Sequence, residues 1–202
     1  ERNGVDFTPA FEDQTRAPGL KTDVELDVQV VVEGLQGPWA FEFLPDNRML
    51  VTERPGNLRI LNTDGSLSEP VKGLPKVLYE GQGGLLDVAL DPQFATNRTI
   101  YWSYAEPREG GSGTALAKGV LREDAGGASV EQVKVIFRQM PTVDSTFHYG
   151  SRIVFAPDGT LFLTLGERAI PPYHLESQNV NSHFGKVVRI RPDGSVPQDN
   201  PF

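Results

Sequence analysis

A short pattern of strand, turn and strand recurs three times along this chain, and it constrains the fold more than any other feature. Each copy closes an apolar segment with a turn that contains proline and aspartate, and then begins a second apolar segment. The turn prolines Pro45, Pro92 and Pro157 lie 47 and then 65 residues apart. A propeller blade of four antiparallel strands takes roughly 40–50 residues, so these intervals suit blades that carry loop insertions. The pattern therefore predicts an all-β fold with about three four-stranded β-propeller blades.

The strands of the three units are predicted from short apolar runs between turn residues. They are residues 39–44, 49–53 and 58–61 in the first unit, 85–90, 99–104, 115–122 and 130–138 in the second, and 152–155, 161–165 and 186–191 in the third. A β-sandwich is the competing architecture, because regularly spaced short strands suit it as well. Propellers close with about 4–8 blades, so three units are either the N-terminal half of a longer ring or one of two copies that complete a ring together.

The beginning of the chain differs from the rest. Residues 1–25 combine prolines, glycines and charges with little periodicity, which predicts an extended N-terminal arm. Residues 26–202 are predicted to form the partial β-propeller, as the N-terminal half of one domain. A β-branched run at residues 28–32 predicts a strand at its start.

Composition and charge exclude several classes of function. The formal net charge of -8 and the absence of a run of Lys and Arg argue against nucleic acid as a partner. The chain has no cysteine, so disulfides, thiolate metal sites and a cysteine nucleophile are unavailable. No apolar stretch approaches the roughly 20 residues of a membrane span. The polar first residues are compatible with a mature secreted protein whose signal peptide has been removed.

Two polar residues precede corresponding strands of the second and third units. Gln82 comes before residues 85–90, and His148 comes before residues 152–155. Because the first strand of each blade lines the channel of a propeller, both side chains are expected at the same channel opening. An imidazole that titrates near neutrality suits a general base, although a half-buried structural histidine is the alternative. Gln82 either binds a substrate hydroxyl group or simply belongs to a glycine-rich turn.

Other polar residues carry weaker signals. Glu167 is either a second carboxylate near the channel opening or part of a solvated ion pair with the adjacent Arg168. His174 is expected to be solvated and His183 to be a turn or cap residue. The three histidines lack metal-ligand spacing, which argues against a zinc site. Trp39 falls on a predicted strand and is interpreted as a core residue.

Several motifs in collinear order give the chain a resemblance to the PQQ-dependent soluble aldose sugar dehydrogenases, a glucose/sorbosone dehydrogenase-like family. The likeness runs from about Val28 to the end of the chain. The motifs that carry it are Gly37-Pro38-Trp39, residues 43–46, residues 83–92, His148-Tyr149-Gly150-Ser151-Arg152, and residues 185–190 through Pro201. Their number and order make the resemblance specific to the family and less specific to the substrate.

The resemblance implies a six-bladed propeller in the periplasm or outside the cell that binds pyrroloquinoline quinone (PQQ) and calcium. It implies oxidation of the anomeric hydroxyl of an aldose sugar to the lactone, with hydride transfer to PQQ and an external electron acceptor. His148 matches the family's general base, Gln82 matches a glutamine near substrate and quinone, and Glu167 matches an acidic residue near the same pocket. The family's calcium loop and its basic residues that hold the quinone correspond to positions beyond Phe202.

One departure from the family concerns the orientation of the base. Some members carry an aspartate directly before the histidine, where this chain has Phe147. The resemblance therefore supplies no adjacent carboxylate to orient His148. A non-catalytic propeller of the same superfamily, acting as a binding or interaction module, is the alternative function. A secreted glycan-binding β-domain is a third, but few aromatic residues suggest the surface platforms that it would need.

Overall fold

The computed structural model describes residues 11–12 and 19–201. The chain divides into two compact units, Glu1–Val31 and Val32–Phe202. The described residues of the first unit contain no strand and no helix. Most of the predicted arm, residues 1–25, lies outside the described residues, and its extended form stays a prediction.

The strand predicted at residues 28–32 is wrong. Residues 19–35 have no regular secondary structure, and Val28 and Val30 are 85% and 75% exposed. β-branched residues favour extended backbone, but a strand is stable only when neighbouring strands pair with it. Among the described residues, no backbone group of this segment has a backbone hydrogen-bond partner.

The second unit contains three antiparallel sheets that follow one another along the chain. The first sheet consists of β1 (Pro38–Phe43), β2 (Met49–Glu53) and β3 (Asn57–Leu61). The second consists of β4 (Leu85–Leu90), β5 (Thr99–Arg108), β6 (Gly111–Asp124) and β7 (Gly127–Arg138), with the short helix α1 (Phe94–Asn97) before β5. The third consists of β8 (Gly150–Phe155), β9 (Leu161–Leu165) and β10 (Val187–Ile190), with a 3₁₀ helix at Tyr173–Gln178. Over residues 11–12 and 19–201, no helix is long and apolar enough to cross a membrane.

The all-β prediction is confirmed, and three sheets in place of two argue against a simple sandwich. Only the second sheet has the four strands that were predicted for each unit. The first and third sheets have three strands each among the described residues. After β3 the chain forms isolated bridges in place of a fourth strand. Lys72 pairs there with β7 of the second sheet: its N–H donates to the Ala128 carbonyl at 3.0 Å, and its carbonyl accepts from Val130 at 2.7 Å.

The turns that follow β1 and β8 use the same aspartate chemistry. Asp46 Oδ1 accepts from the Arg48 N–H at 3.2 Å, and Asp158 Oδ1 accepts from the Thr160 N–H at 2.9 Å. Asn47 has φ +68°, a left-handed conformation that asparagine tolerates better than most residues. The recurring sequence pattern thus corresponds to a recurring hairpin.

The second sheet lies between the other two and packs apolar side chains against both. Tyr101 and Trp102 are adjacent on β5 and belong to different apolar clusters, as the alternation of a strand requires. The cluster with the first sheet includes Leu50, Leu58, Val88 and Trp102, and the cluster with the third includes Tyr101, Leu116, Ile153 and Leu163. The first strands of the sheets are neighbours, because β4 contacts both β1 and β8. This arrangement brings the segments before β4 and β8 together.

The outermost sheets keep apolar side chains on their surfaces. Phe41 and Phe43 of the first sheet are 58% and 55% exposed, and Val154 and Val187 of the third are 52% and 65% exposed. Within the described residues the three sheets do not close into a ring.

Candidate functional site

A concave pocket of about 350 Å³ lies beside the segments that lead into β4 and β8. Its lining comes from all three sheets and the adjoining loops, and consists of Trp39, Arg54, Gln82, Leu86, His148, Tyr149 and Gly150. Gln82 and His148 therefore face one site, as their corresponding positions in the repeats predict.

Gln82 joins its own loop to the loop of His148. Its side-chain Oε1 accepts a hydrogen bond from the His148 N–H at 2.9 Å, and its backbone N–H donates to the Thr146 carbonyl at 2.8 Å. Gly81 has φ +54°, and a Cβ there would lie 2.7 Å from the Thr146 carbonyl oxygen. Glycine is thus required for the two loops to approach this closely. The predicted glycine-rich turn is confirmed. Binding of a substrate hydroxyl by Gln82 stays a prediction, for which its amide N–H groups are the donors.

The imidazole of His148 is paired with a carboxylate. His148 Nδ1 lies 2.6 Å from Glu167 Oε1, and the two side chains are 48% and 29% exposed. Burial is the largest single influence on Glu167 and opposes its ionisation. The hydrogen bond from His148, the charge of that imidazole and backbone hydrogen bonds together outweigh burial, and they keep the pKa of this carboxyl below its ordinary value. A carboxylate acceptor at Nδ1 fixes the tautomer with Nδ1 protonated, which leaves Nε2 as the basic nitrogen. Glu167, which is not adjacent in sequence, supplies the orientation that Phe147 cannot.

The backbone of His148 is also constrained. Its φ of +45° is left-handed, a conformation that costs a residue with a side chain about 1–2 kcal/mol. Gly166 packs directly on the His148 carbonyl, and a Cβ at position 166 would collide with that oxygen. Such a conformation persists where the surrounding structure holds it, and it is typical of functional sites.

Arg168 overturns the interpretation of Glu167 and Arg168 as a solvated ion pair. Its side chain is fully buried, and it donates to the backbone carbonyl of Phe147 at 2.8 Å. Glu167 bonds to His148 instead. The two side chains separate because the chain turns sharply here, with φ +70° at Arg168 and +65° at Ala169.

Two residues of the pocket were missed by sequence reasoning. Trp39 was interpreted as a core residue, but its half-buried ring lines the pocket. Arg54 also lines the pocket, and its guanidinium binds the loop of Gln82 through the Gly81 carbonyl and, at 2.9 Å, the Gly83 carbonyl. The sequence does contain a signal for Arg54, because a Glu-Arg pair recurs at the end of the second strand of a unit. The pair is Glu53-Arg54 at the end of β2 in the first unit and Glu167-Arg168 just after β9 in the third.

The other two histidines lie outside the pocket. His174 is exposed on the 3₁₀ helix, as predicted. His183 Nδ1 accepts from the Met140 N–H at 3.0 Å, so it caps a backbone group, and burial lowers the pKa of its imidazole. No three side chains of His, Cys, Asp or Glu are grouped to hold a metal ion in the part of the chain that the structure describes.

Comparison with known proteins gives consistent matches over most of the chain. The family model described as Glucose / Sorbosone dehydrogenase matches residues 35–202. The aldose sugar dehydrogenase YliI of Escherichia coli (strain K12) is 43% identical over 179 residues, which cover 88% of this chain and 47% of that protein. The chain thus spans about half the length of the curated relatives that it matches.

Solved structures agree with the sequence matches. The apo form of the soluble aldose sugar dehydrogenase from Escherichia coli superposes with a TM-score of 0.79 at 44% identity, covering 87% of this chain and 50% of that one. The PQQ-bound form of an aldose sugar dehydrogenase from Streptomyces coelicolor superposes with a TM-score of 0.70 at 29% identity, covering 87% and 50%. The fold of this chain therefore has counterparts in proteins named as sugar dehydrogenases.

Proposed function

The chain belongs to the glucose/sorbosone dehydrogenase family, and we propose that it provides the base-containing half of a PQQ-dependent aldose sugar dehydrogenase. The proposed reaction oxidises the anomeric hydroxyl of an aldose to the lactone. The observation that carries the proposal is the contact of 2.6 Å between His148 Nδ1 and Glu167 at the edge of the pocket. The similarity to a PQQ-bound aldose sugar dehydrogenase supports the choice of cofactor.

In this proposal His148 is the general base. Its Nε2 takes the proton of the C1 hydroxyl while the C1 hydrogen leaves as hydride and the C1–O bond becomes a carbonyl. Removing the proton raises the electron density on the oxygen, which makes departure of the hydride easier. Glu167 stabilises the imidazolium that results, as the carboxylate of a Ser-His-Asp triad does. Bound PQQ supplies the acceptor for the hydride.

Gln82 and Arg54 position the ligands in this proposal. The Oε1 atom of Gln82 is occupied by His148, so its amide N–H groups are the donors available to a sugar hydroxyl or a quinone oxygen.

Two features of the pocket would serve PQQ, a planar molecule with several carboxylates: an aromatic side chain and a guanidinium group. Its volume of about 350 Å³ is in the range of small-molecule sites. Trp39 offers an aromatic surface, and Arg54 makes no ion pair with a carboxylate among the described residues. Guanidinium groups bind carboxylates well, so Arg54 is the residue of this chain that we assign to an acidic group of the cofactor.

Calcium enters the proposal only through family membership. The described residues contain no cluster of three or more His, Cys, Asp or Glu side chains. We assign no step of the reaction to calcium. Its ligands are expected at family positions that correspond to residues after Phe202.

The proposal extends to the whole ring. Three sheets whose first strands are neighbours suit one half of a six-bladed propeller. The apolar side chains on the outermost sheets would be covered by the remaining blades, supplied either by further chain or by a second copy. A periplasmic or extracellular location and an external electron acceptor belong to the same proposal.

The test is reconstitution of the complete protein with PQQ and calcium, followed by a dye-coupled assay on several aldoses and identification of the product. We expect lactone formation that requires PQQ. Absence of turnover together with absence of PQQ binding in calorimetry would refute the proposal and favour the non-catalytic binding module.

A further inference from the structure

Arg168 is a buried arginine whose guanidinium is held by backbone oxygens. It is 0% exposed. Its Nε donates to the Phe147 carbonyl at 2.8 Å, and Nη1 donates to the Ser112 carbonyl at 3.2 Å. Its Nη2 donates to Ser112 Oγ at 3.1 Å and to the Ser145 carbonyl. The guanidinium carbon lies 4.0 Å from the centre of the Tyr149 ring.

Apart from Ser112, these partners flank His148 in the sequence. The Ser145 and Phe147 carbonyls precede it, and the Tyr149 ring follows it. One planar guanidinium therefore contacts the chain on both sides of the proposed base. The ammonium of lysine could not do this, because its three donors radiate from one atom at the end of a flexible side chain. The Arg168 carbonyl adds a further link, because it accepts from Ser145 Oγ at 2.6 Å.

Three consecutive residues contact His148 and the residue before it. Gly166 packs on its carbonyl, Glu167 binds its imidazole, and Arg168 binds the carbonyl of the residue before it. Since His148 has a left-handed backbone with φ +45°, it needs such surroundings to keep its conformation.

The charge of Arg168 is unusual for a merely structural residue. Among the described residues it makes no ion pair with a carboxylate. Burial of a charge without a paired opposite charge is costly, and an apolar side chain of similar volume would avoid that cost. Of its four hydrogen bonds, two go to the segment that carries His148 and two anchor that segment to Ser112 on β6.

We propose that Arg168 is a positioning residue, which holds the 145–147 backbone so that the His148 imidazole stays on Glu167 and presents Nε2 to the pocket. The proposal rests on the proposed function of His148. It goes beyond that function by assigning a role to a residue that touches neither sugar nor cofactor.

The test compares Arg168→Met and Arg168→Lys in the complete protein loaded with PQQ. A displacement of about 1 Å at a reacting group can cost roughly 10²-fold in rate, so we expect kcat of Arg168→Met to fall by about that factor. KM for the aldose and the affinity for PQQ should change little. Arg168→Lys should lie between wild type and Arg168→Met, because it keeps the charge but cannot bind both carbonyls.

A spectroscopic measurement separates positioning from general loss of structure. In ¹⁵N NMR of the histidine rings, wild type should show His148 with Nδ1 protonated and hydrogen-bonded, and Arg168→Met should lose that signature. The matched control is Arg59→Met on β3, which is in a different sheet from the strand that follows His148. It removes an arginine that likewise binds a backbone carbonyl, that of Ser68, at 2.6 Å. Arg59→Met should lose stability while it keeps kcat and the His148 signals.

Two results would overturn the proposal: an unchanged kcat in Arg168→Met, or unchanged His148 signals in that variant. If Arg168→Met does not fold, an unchanged kcat in Arg168→Lys would overturn it equally. His148→Ala is measured in parallel to separate the two proposals. Full activity in His148→Ala refutes the role of His148, whereas loss there with full activity in Arg168→Met refutes only the role of Arg168.

Discussion

At the scale of single residues, the pair of His148 and Glu167 concentrates the chemistry that we assign to this chain. Their contact of 2.6 Å joins residues 19 positions apart, and it fixes which imidazole nitrogen is basic. Gln82 accepts a hydrogen bond from the backbone N–H of the same histidine, and Gly166 packs on its carbonyl. The base is therefore positioned through its ring, its N–H and its carbonyl at once.

Replacing Glu167 tests the role of the carboxylate. Glu167→Gln keeps an oxygen of similar geometry but removes the charge that stabilises the imidazolium. In a Ser-His-Asp triad the corresponding change lowers kcat by about 10⁴-fold, and we expect a loss of about 10²-fold or more here. Steady-state kinetics of the PQQ-loaded protein measure it, with the exposed Glu69→Gln as the control. Equal kcat in the two variants would contradict the role of Glu167.

Ionisation of Glu167 should also make the free energy of unfolding depend on pH, and Glu167→Gln tests this. The pKa of Glu167 in the folded protein is below its ordinary value of 4.5, so the charged carboxylate stabilises the fold above that pH. This contribution is lost as the pH falls through the lower, folded pKa. Urea unfolding at several pH values should therefore show wild type more stable than Glu167→Gln near pH 6, with the difference shrinking towards pH 3. A difference that is independent of pH would argue against ionisation of Glu167 as its source.

At the scale of elements, the loops before β4 and β8 form the site because glycine lets them approach each other. Gly81 has a left-handed backbone and lies against Thr146, and Gln82 then reaches His148. Behind the first loop β4 is buried along almost its whole length, and behind the second loop β8 buries Ser151 and Ile153, so both loops are carried on packed strands.

Gly81→Ala should separate these two loops. A positive φ disfavours alanine by about 1–2 kcal/mol, and the collision with the Thr146 carbonyl adds about 1–3 kcal/mol. The matched control is Gly110→Ala, because Gly110 has φ +79° but a Cβ there meets nothing within 4 Å. We expect Gly81→Ala to lower the free energy of unfolding in urea by about 1–3 kcal/mol more than Gly110→Ala does. Equal losses would show that the close approach of the loops does not matter.

Most strands were predictable from sequence because each is an apolar run closed by a turn with its own local chemistry. The predicted strands at residues 49–53, 85–90 and 161–165 coincide with β2, β4 and β9. The prediction of a strand at residues 28–32 is wrong because a strand needs a partner strand from elsewhere in the chain. The composition of a segment does not show whether such a partner exists.

The candidate site was predictable only in part. Gln82 and His148 were found because equivalent positions in a repeat converge in space. The contact of Glu167 with His148 and the burial of Arg168 could not be found, because they depend on left-handed backbone at Arg168 and Ala169. Neither residue is a glycine or asparagine, so local sequence gave no sign of this turn.

At the scale of the whole molecule, three sheets pack in chain order and leave apolar side chains on the outermost two. In the proposed six-bladed ring those surfaces would be covered by neighbouring blades. The alternative is an open stack in which they face water.

Phe41→Ser in the complete protein distinguishes the two arrangements. If a blade covers this residue, which is 58% exposed in the present three sheets, its loss should cost about 1.5–3 kcal/mol of the free energy of unfolding. An exposed position should change stability by no more than about 0.5 kcal/mol. Val133→Ser on β7 is the control, because the outer strand of a blade stays at the surface of a ring. A small effect for Phe41→Ser would argue against closure at the first sheet.

The central claim, that His148 is the base in oxidation of an aldose, is tested most directly by single-turnover reduction of PQQ in the complete protein. Wild type, His148→Ala and the control His174→Ala are mixed with aldose, and the cofactor absorbance is followed. General-base catalysis contributes about 10²–10⁴-fold, so the rate in His148→Ala should fall by that factor while His174→Ala matches wild type. Affinity for PQQ should be retained in both. A wild-type rate of cofactor reduction in His148→Ala would contradict the account.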